Sequence, residues 1–236
     1  MPFRNSVSIV ASPRARVGKS LLARLLVDFH VREGRAVEAF DLNAGAGTLA
    51  AFAPALTTVS AIADVKGQMA LFDRLVADDG TYKVVDLGHE SFEAFFAVAQ
   101  KIGFIEEAHR RAIAPAILYV STPDATAVEA FGALRRHFPQ AQLLPVHNEI
   151  FGSAPHGGKY ALTGAALARL PALAPALRKY IDTPPFSFAD EQLAAALPPA
   201  VQEELQHWLR RVYREFRELD LRILLADLQS AIRLES

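Results

Sequence analysis

The chain has 236 residues, 25 Lys and Arg against 26 Asp and Glu, a hydrophobic share of 51% and no cysteine. That length can bury a substantial core without staples, and a charged share of 22% beside so much apolar content excludes a disordered chain. The missing cysteine excludes a disulfide framework, a thiolate nucleophile and a Cys-ligated zinc, and a formal net charge of −1 argues against bulk attraction to nucleic acid.

The first ten residues, MPFRNSVSIV, lack a long apolar run ending at a small-residue cleavage site, so no signal peptide is expected. A β-branched run at 7–10 predicts the first strand. A helix is predicted over 20–33, where Leu22, Leu25, Leu26 and Phe29 share one face and Gly34 supplies a stop. A second strand at 36–40 ends at Asp41. The stretch 49–63 is apolar, but Pro54, Thr57, Thr58 and Ser60 interrupt it, and it falls short of the roughly 20 residues a membrane helix needs. The expectation is a soluble, cytoplasmic protein without stable membrane insertion. A helix follows over 66–76, a third strand at 83–85 ending at Asp86, and one strongly apolar helix over 92–109. A strand at 117–120, a helix over 125–137 and a fifth strand at 143–146 complete the pattern. Strands alternating with crossover-length helices predict an α/β fold with a doubly wound, mostly parallel sheet.

After Asn148 the texture changes. Residues 151–200 carry the adjacent pair Gly157 and Gly158 and seven prolines, which predicts mostly loop with short helices. Residues 200–232 contain neither Pro nor Gly, and Leu205, Leu209, Val212, Phe216, Leu219 and Ile223 form a helical stripe among Arg and Glu. The expected organisation is a core over 1–150 and an extension over 151–236. That extension either completes the same domain by packing on the sheet or presents a dimer or partner surface.

The segment that carries chemistry is 7–20, a strand, a loop and the start of a helix, ending Val17-Gly18-Lys19-Ser20. This ending is what a phosphate-binding loop needs. Gly18 lets the backbone approach phosphate, Lys19 reaches the β- and γ-phosphates, Ser20 is the expected Mg²⁺ ligand, and the helix N-terminus favours an anion. Pro13 stands where the motif has its first glycine and removes one backbone donor. Three polar residues close later strands, where ligands of open α/β sheets bind. Asp86 is placed to hold Mg²⁺, Asp41 to face the γ-phosphate and Asn148 to hydrogen-bond the base. Asp and Asn also favour such positions as loop caps, so it is their joint occurrence in order that points to a site.

Residues 14–20, Arg-Ala-Arg-Val-Gly-Lys-Ser, resemble the deviant Walker A of the ParA/MinD group, whose form is Lys-Gly-Gly-x-Gly-Lys-Ser/Thr. The resemblance spans roughly residues 6–150, and Val84-Val85-Asp86-Leu87-Gly88 is similar to the group's switch II. The nearest likeness is to ParA-like plasmid-stability and conjugation ATPases. It implies a P-loop NTPase that binds ATP or ADP with Mg²⁺, forms an ATP-dependent homodimer and positions a cargo through a protein partner. Carried over, Arg14 takes the place of the lysine that reaches the partner's phosphates. Arg16, Val17, Gly18, Lys19, Ser20 and Leu21 bind the nucleotide, Ser20 and Asp86 the metal, and Asn148 the adenine. The family's two glycines are Ala15 and Arg16 here, and Arg14 offers a fork where lysine offers a point charge. Asn43 stands where many relatives carry a second acid, which implies slow hydrolysis.

Seven histidines yield no HExxH arrangement, since His89-Glu90 lacks its second histidine. The pairs Arg110-Arg111, Arg135-Arg136 and Arg210-Arg211 would support nonspecific DNA binding only by converging in a dimer, and nearby glutamates oppose that. Two rivals remain. One is a degenerate P-loop protein that binds nucleotide weakly or not at all and serves as a scaffold. The other, ranked last for want of an Arg-rich lid, is a small-molecule kinase.

Overall fold

The computed structural model describes residues 6–43, 48–152, 160 and 167–234, with side chains through 225. Its elements in chain order are β1 (Ser6–Ala11), α1 (Lys19–Arg32), β2 (Val37–Asp41), α2 (Leu49–Phe52), β3 (Thr57–Val59), α3 (Val65–Leu75) and β4 (Tyr82–Asp86). There follow α4 (Phe92–Lys101), α5 (Phe104–Arg110), β5 (Ala114–Ser121), α6 (Ala125–His137) and β6 (Gln142–Asn148). The chain closes with β7 (Ala168–Leu170), α7 (Pro175–Ile181), α8 (Glu191–Ala195) and the long α9 (Pro199–Leu234).

Among the described residues seven strands form one sheet in the order β3-β2-β4-β1-β5-β6-β7, with every pairing parallel. The expected α/β class and doubly wound sheet are therefore present, and the sheet is parallel throughout. β1 is central, between β4 and β5, so the loop after it opens at the carboxyl edge where the connections diverge to either side. Strand side chains alternate between two apolar layers. Val10, Val84, Leu118 and Val120 face α1 and the C-terminal segment, whereas Ile9, Val85, Ile117 and Tyr119 face the layer of α3 to α6.

Three features differ from the sequence expectation, and the C-terminal helix takes one of its two expected placements. The helix expected over 92–109 is two helices, because Gly103 adopts φ 63° and starts a new direction at α5. The apolar stretch 49–63 holds α2 and the edge strand β3, and the Pro-rich region holds a second short strand, β7. The long C-terminal helix begins at Pro199 and packs on the sheet: Leu205, Trp208, Leu209, Val212 and Phe216 share one apolar cluster with α1 and β5. No described helix is long and apolar enough to cross a membrane.

Candidate phosphate and metal site

The loop from Ser12 to Gly18 turns sharply before α1. Gly18 caps that helix at φ 95°, in the left-handed region, and an added Cβ would lie 2.5 Å from Asn148 Nδ2. Only glycine fits there on both counts. Arg16 also takes positive φ, 58°, so the backbone keeps a left-handed residue where the resembling motif has glycine. A non-glycine residue in that conformation costs roughly 1–2 kcal/mol. The 14 residues of α1 give it a full dipole, with no acidic residue in its first turn to neutralise the positive end.

Lys19, Ser20, Leu21, Gly18, Arg16, Ala15, Asn43 and His89 line an open cleft of about 260 Å³. Lys19 is 6% exposed, and its Nζ donates to the Arg14 carbonyl. Burial lowers its pKa to about 8, against the opposing pull of Asp86. Asp86 is fully buried at the end of β4, and neither of its carboxylate oxygens has a hydrogen-bond partner. Burial raises its pKa to about 6; nearby Asp41 adds to the shift, while Ser20, Lys19 and Asn43 offset part of it. An orphaned pair of buried carboxylate oxygens beside a serine is a donor set that suits a hard divalent cation. The residues therefore fit Mg²⁺, which Asp86 and Ser20 would hold.

Register places Asp41 of β2 directly opposite Asp86 of β4. Their environments differ sharply. Asp41 Oδ1 accepts from Asn43 N at 3.0 Å and Asn43 Nδ2 at 2.9 Å, and Oδ2 accepts from Ala50 N at 2.8 Å. Asp41 thus holds its own loop together. Asn43 Nδ2 also reaches the Asp86 carbonyl at 3.3 Å. Gly88 allows this approach, since a Cβ there would meet Leu42 O at 2.8 Å and Asn43 Oδ1 at 3.1 Å.

Two expected site residues are engaged within the chain. Arg14 donates from Nε to Asp124 Oδ1 at 2.9 Å and also pairs with it through Nη2. This pair holds the Asp124 carboxyl well below the usual carboxylate range. Asn148 closes β6 and contacts the loop, donating from Nδ2 to Val17 O at 3.0 Å. His147 is buried, with Nε2 2.7 Å from the Gly152 carbonyl oxygen. His89, in sequence only half of an absent metal motif, lines the cleft. Its place three residues after Asp86, in the loop that follows β4, was the available signal.

No family model matches the chain, and no curated protein matches it by sequence. Among solved structures it is similar to the MinD cell division protein of Aquifex aeolicus, with a TM-score of 0.54 over 91% of this chain and 97% of that one. The chain has the MinD fold. Sequence identity is 13%, so the likeness carries the architecture alone, and the chemistry rests on the residues above. In this MinD-like frame Lys19, Ser20 and Asp86 converge at the carboxyl edge beside β1. Asp41 lies beside Asp86 but is committed to its own loop, Arg14 points to Asp124, and Asn148 supports the loop from the β6 side.

Proposed function

We propose that this chain is a ParA/MinD-like ATPase whose deviant phosphate loop, residues 14–20, binds ATP with Mg²⁺ and switches the protein between monomer and homodimer. Its cargo would be a plasmid, other DNA or a protein complex, reached through a protein partner. The observation that carries this reading is the orphaned, buried Asp86 carboxylate opposite Lys19 and Ser20, at the mouth of a helix N-terminus without acidic residues. Lys19 and the loop amides bind phosphate, and Ser20 and Asp86 hold the metal. When bound, Mg²⁺ supplies positive charge against the phosphate oxygens. Among the described residues no Asp or Glu lines the cleft, Asp41 already accepts from three N–H donors, and Asn43 cannot take a proton from water. Hydrolysis is therefore slow in this reading. For Arg14 to reach a partner protomer it must exchange its bond to Asp124.

DNA is a secondary partner in this reading, because Arg110 and Arg111 both pair with Glu107 and Arg211 pairs with Glu149. A second reading, the scaffold that has lost nucleotide binding, draws support from Arg16 in a glycine conformation and from Arg14 paired within the chain. Isothermal titration of the folded protein with MgATP and MgADP separates the two: no heat from either sinks the ATPase reading. Light scattering then tests the switch, with a rise in mass expected on adding ATP to the parent and none for Lys19→Ala. Equal mass with and without ATP in the parent overturns the switch.

A further inference from the structure

We infer that Arg16 is a phosphate-binding side chain, held in a strained backbone conformation in the free protein and used only by the ligand. The inference rests on the phosphate-site part of the reading above, and it names a contact that the resembling motif, with glycine at this place, cannot make. Arg16 has φ 58°. Ala112 is the other described non-glycine residue with positive φ, and it follows the end of α5, where a left-handed residue ordinarily closes a helix. Arg16 closes no helix: it stands in mid-loop, and its neighbours fix its conformation. Lys19 Nζ donates to the carbonyl of Arg14, two residues before it, and Asn148 Nδ2 donates to the carbonyl of Val17, the residue after it, at 3.0 Å. Val17 is also 4% exposed, so the chain is anchored on both sides of Arg16.

The side chain gives nothing back to the free protein. Arg16 is exposed, and it makes no hydrogen bond or ion pair with any described residue. Arg14, by contrast, is spent on Asp124. Asparagine or glycine would take the same φ at lower cost, so the guanidinium needs a use outside the free chain. The cleft supplies one. Arg16 lines it together with Lys19 at the start of α1, and no described Asp or Glu lines it to neutralise the guanidinium. A planar fork of five donors suits two oxygens of one phosphate, or one oxygen from each of two neighbours. Such a contact carries no information about the base. The ligand class is therefore a polyphosphate anion, with or without a nucleoside, to which Arg16 adds affinity by charge and fork geometry.

The test uses the full chain, Arg16→Asn and Arg16→Lys, titrated with MgATP, MgGTP and magnesium tripolyphosphate. Asparagine accepts the left-handed conformation and removes the charge. Arg16→Asn should therefore unfold at a higher midpoint than the parent without ligand, yet bind all three probes roughly tenfold more weakly. Lysine keeps the charge and loses the fork, so the affinity of Arg16→Lys should fall between the two. The parent's affinity should also depend more steeply on salt than that of Arg16→Asn, with the ATP to GTP ratio unchanged in every variant. A lower midpoint for Arg16→Asn overturns the inference, because Arg16 then braces the free loop, and so does unchanged tripolyphosphate binding. If the parent binds tripolyphosphate but neither nucleotide, the nucleotide reading fails, and weaker tripolyphosphate binding by Arg16→Asn still upholds the inference. A parent that binds none of the three overturns both.

Discussion

Asp86→Asn should make the free protein more stable and useless for metal-dependent nucleotide binding. The carboxylate is buried without a hydrogen-bond partner, and its pKa stands at about 6 against an ordinary 3.8. A shift of about 2 units corresponds to roughly 3 kcal/mol of penalty on the ionised form near neutral pH. Asparagine removes that charge, but Lys19 then loses its nearby counter-charge, which offsets part of the gain. The net expectation is a gain of ~1–2 kcal/mol at pH 7.5, read by urea unfolding in buffer free of divalent metal. The sign follows from linkage. A raised folded pKa gives stability that is fully present below 3.8 and lost as pH rises through about 6, so parent and variant should converge near pH 4, separate between pH 4 and 6 and differ by a constant amount above that. Isothermal titration of the variant with ATP should then show no response to added Mg²⁺. A variant less stable than the parent at pH 7.5, or one that keeps Mg²⁺-dependent affinity, would refute the account of Asp86 as a strained metal holder.

Two further outcomes are expected. His30 is buried against Tyr82, at 4.5 Å between ring centroids, with Nδ1 3.2 Å from Arg35 Nη1; burial and then Arg35 lower its pKa to about 3. The unfolded chain binds this proton more readily, so its contribution is present above pH 6.5 and is lost as pH falls through 3, at most ~5 kcal/mol. His30→Phe should flatten that acid limb in urea unfolding between pH 4 and 7, and an unchanged slope would discount His30. Asp124→Asn keeps an acceptor for the α6 cap at Ala127 N while releasing the charge that holds Arg14. Light scattering should then find a larger dimer fraction at a given ATP concentration, and an unchanged fraction would show that the Arg14 pair does not restrain assembly.

The parts of the site legible in the sequence are those carried by a contiguous stretch or by a strand end. Residues 7–20 specify a strand, a tight loop and a helix in one run, and Asp86 follows an unbroken apolar β-branched pair. The three-residue edge strands β3 and β7 were not legible, because Thr-Thr-Val and Ala-Arg-Leu are too short to show a period. The helix expected over 92–109 runs through Gly103, and only the positive φ of that residue reveals a break. The roles of Arg14 and Asn148 depend on partners 110 and 131 residues away. Residue type suggested that both matter; the fold determines what each one touches.

The C-terminal region shows the same dependence on distant partners. Its prolines and glycines predict loop, and much of residues 182–188 is indeed without regular structure, yet α1 supplies the order its own sequence lacks. Asp28 accepts from Ser187 Oγ at 2.8 Å and from the Phe188 backbone N–H. One turn earlier, Arg24 donates to Ile181 O at 2.8 Å with its guanidinium 3.5 Å from the Phe52 ring centroid. Burial lowers the Arg24 pKa to about 10, with Asp28 opposing the shift, so it stays charged at neutral pH. Arg24 Nε itself has no hydrogen-bond partner, but the other contacts are made, and removing either side chain would strand backbone groups of the C-terminal segment. The helix that opens after the loop of residues 12–18 is thus also the one that fastens the C-terminal region. A displacement of α1 on binding phosphate would have to be shared with residues 181–188 and, through Phe188 against Trp208, with α9. A boundary near residue 150 marks a change in composition, while the packing of α1 runs across it.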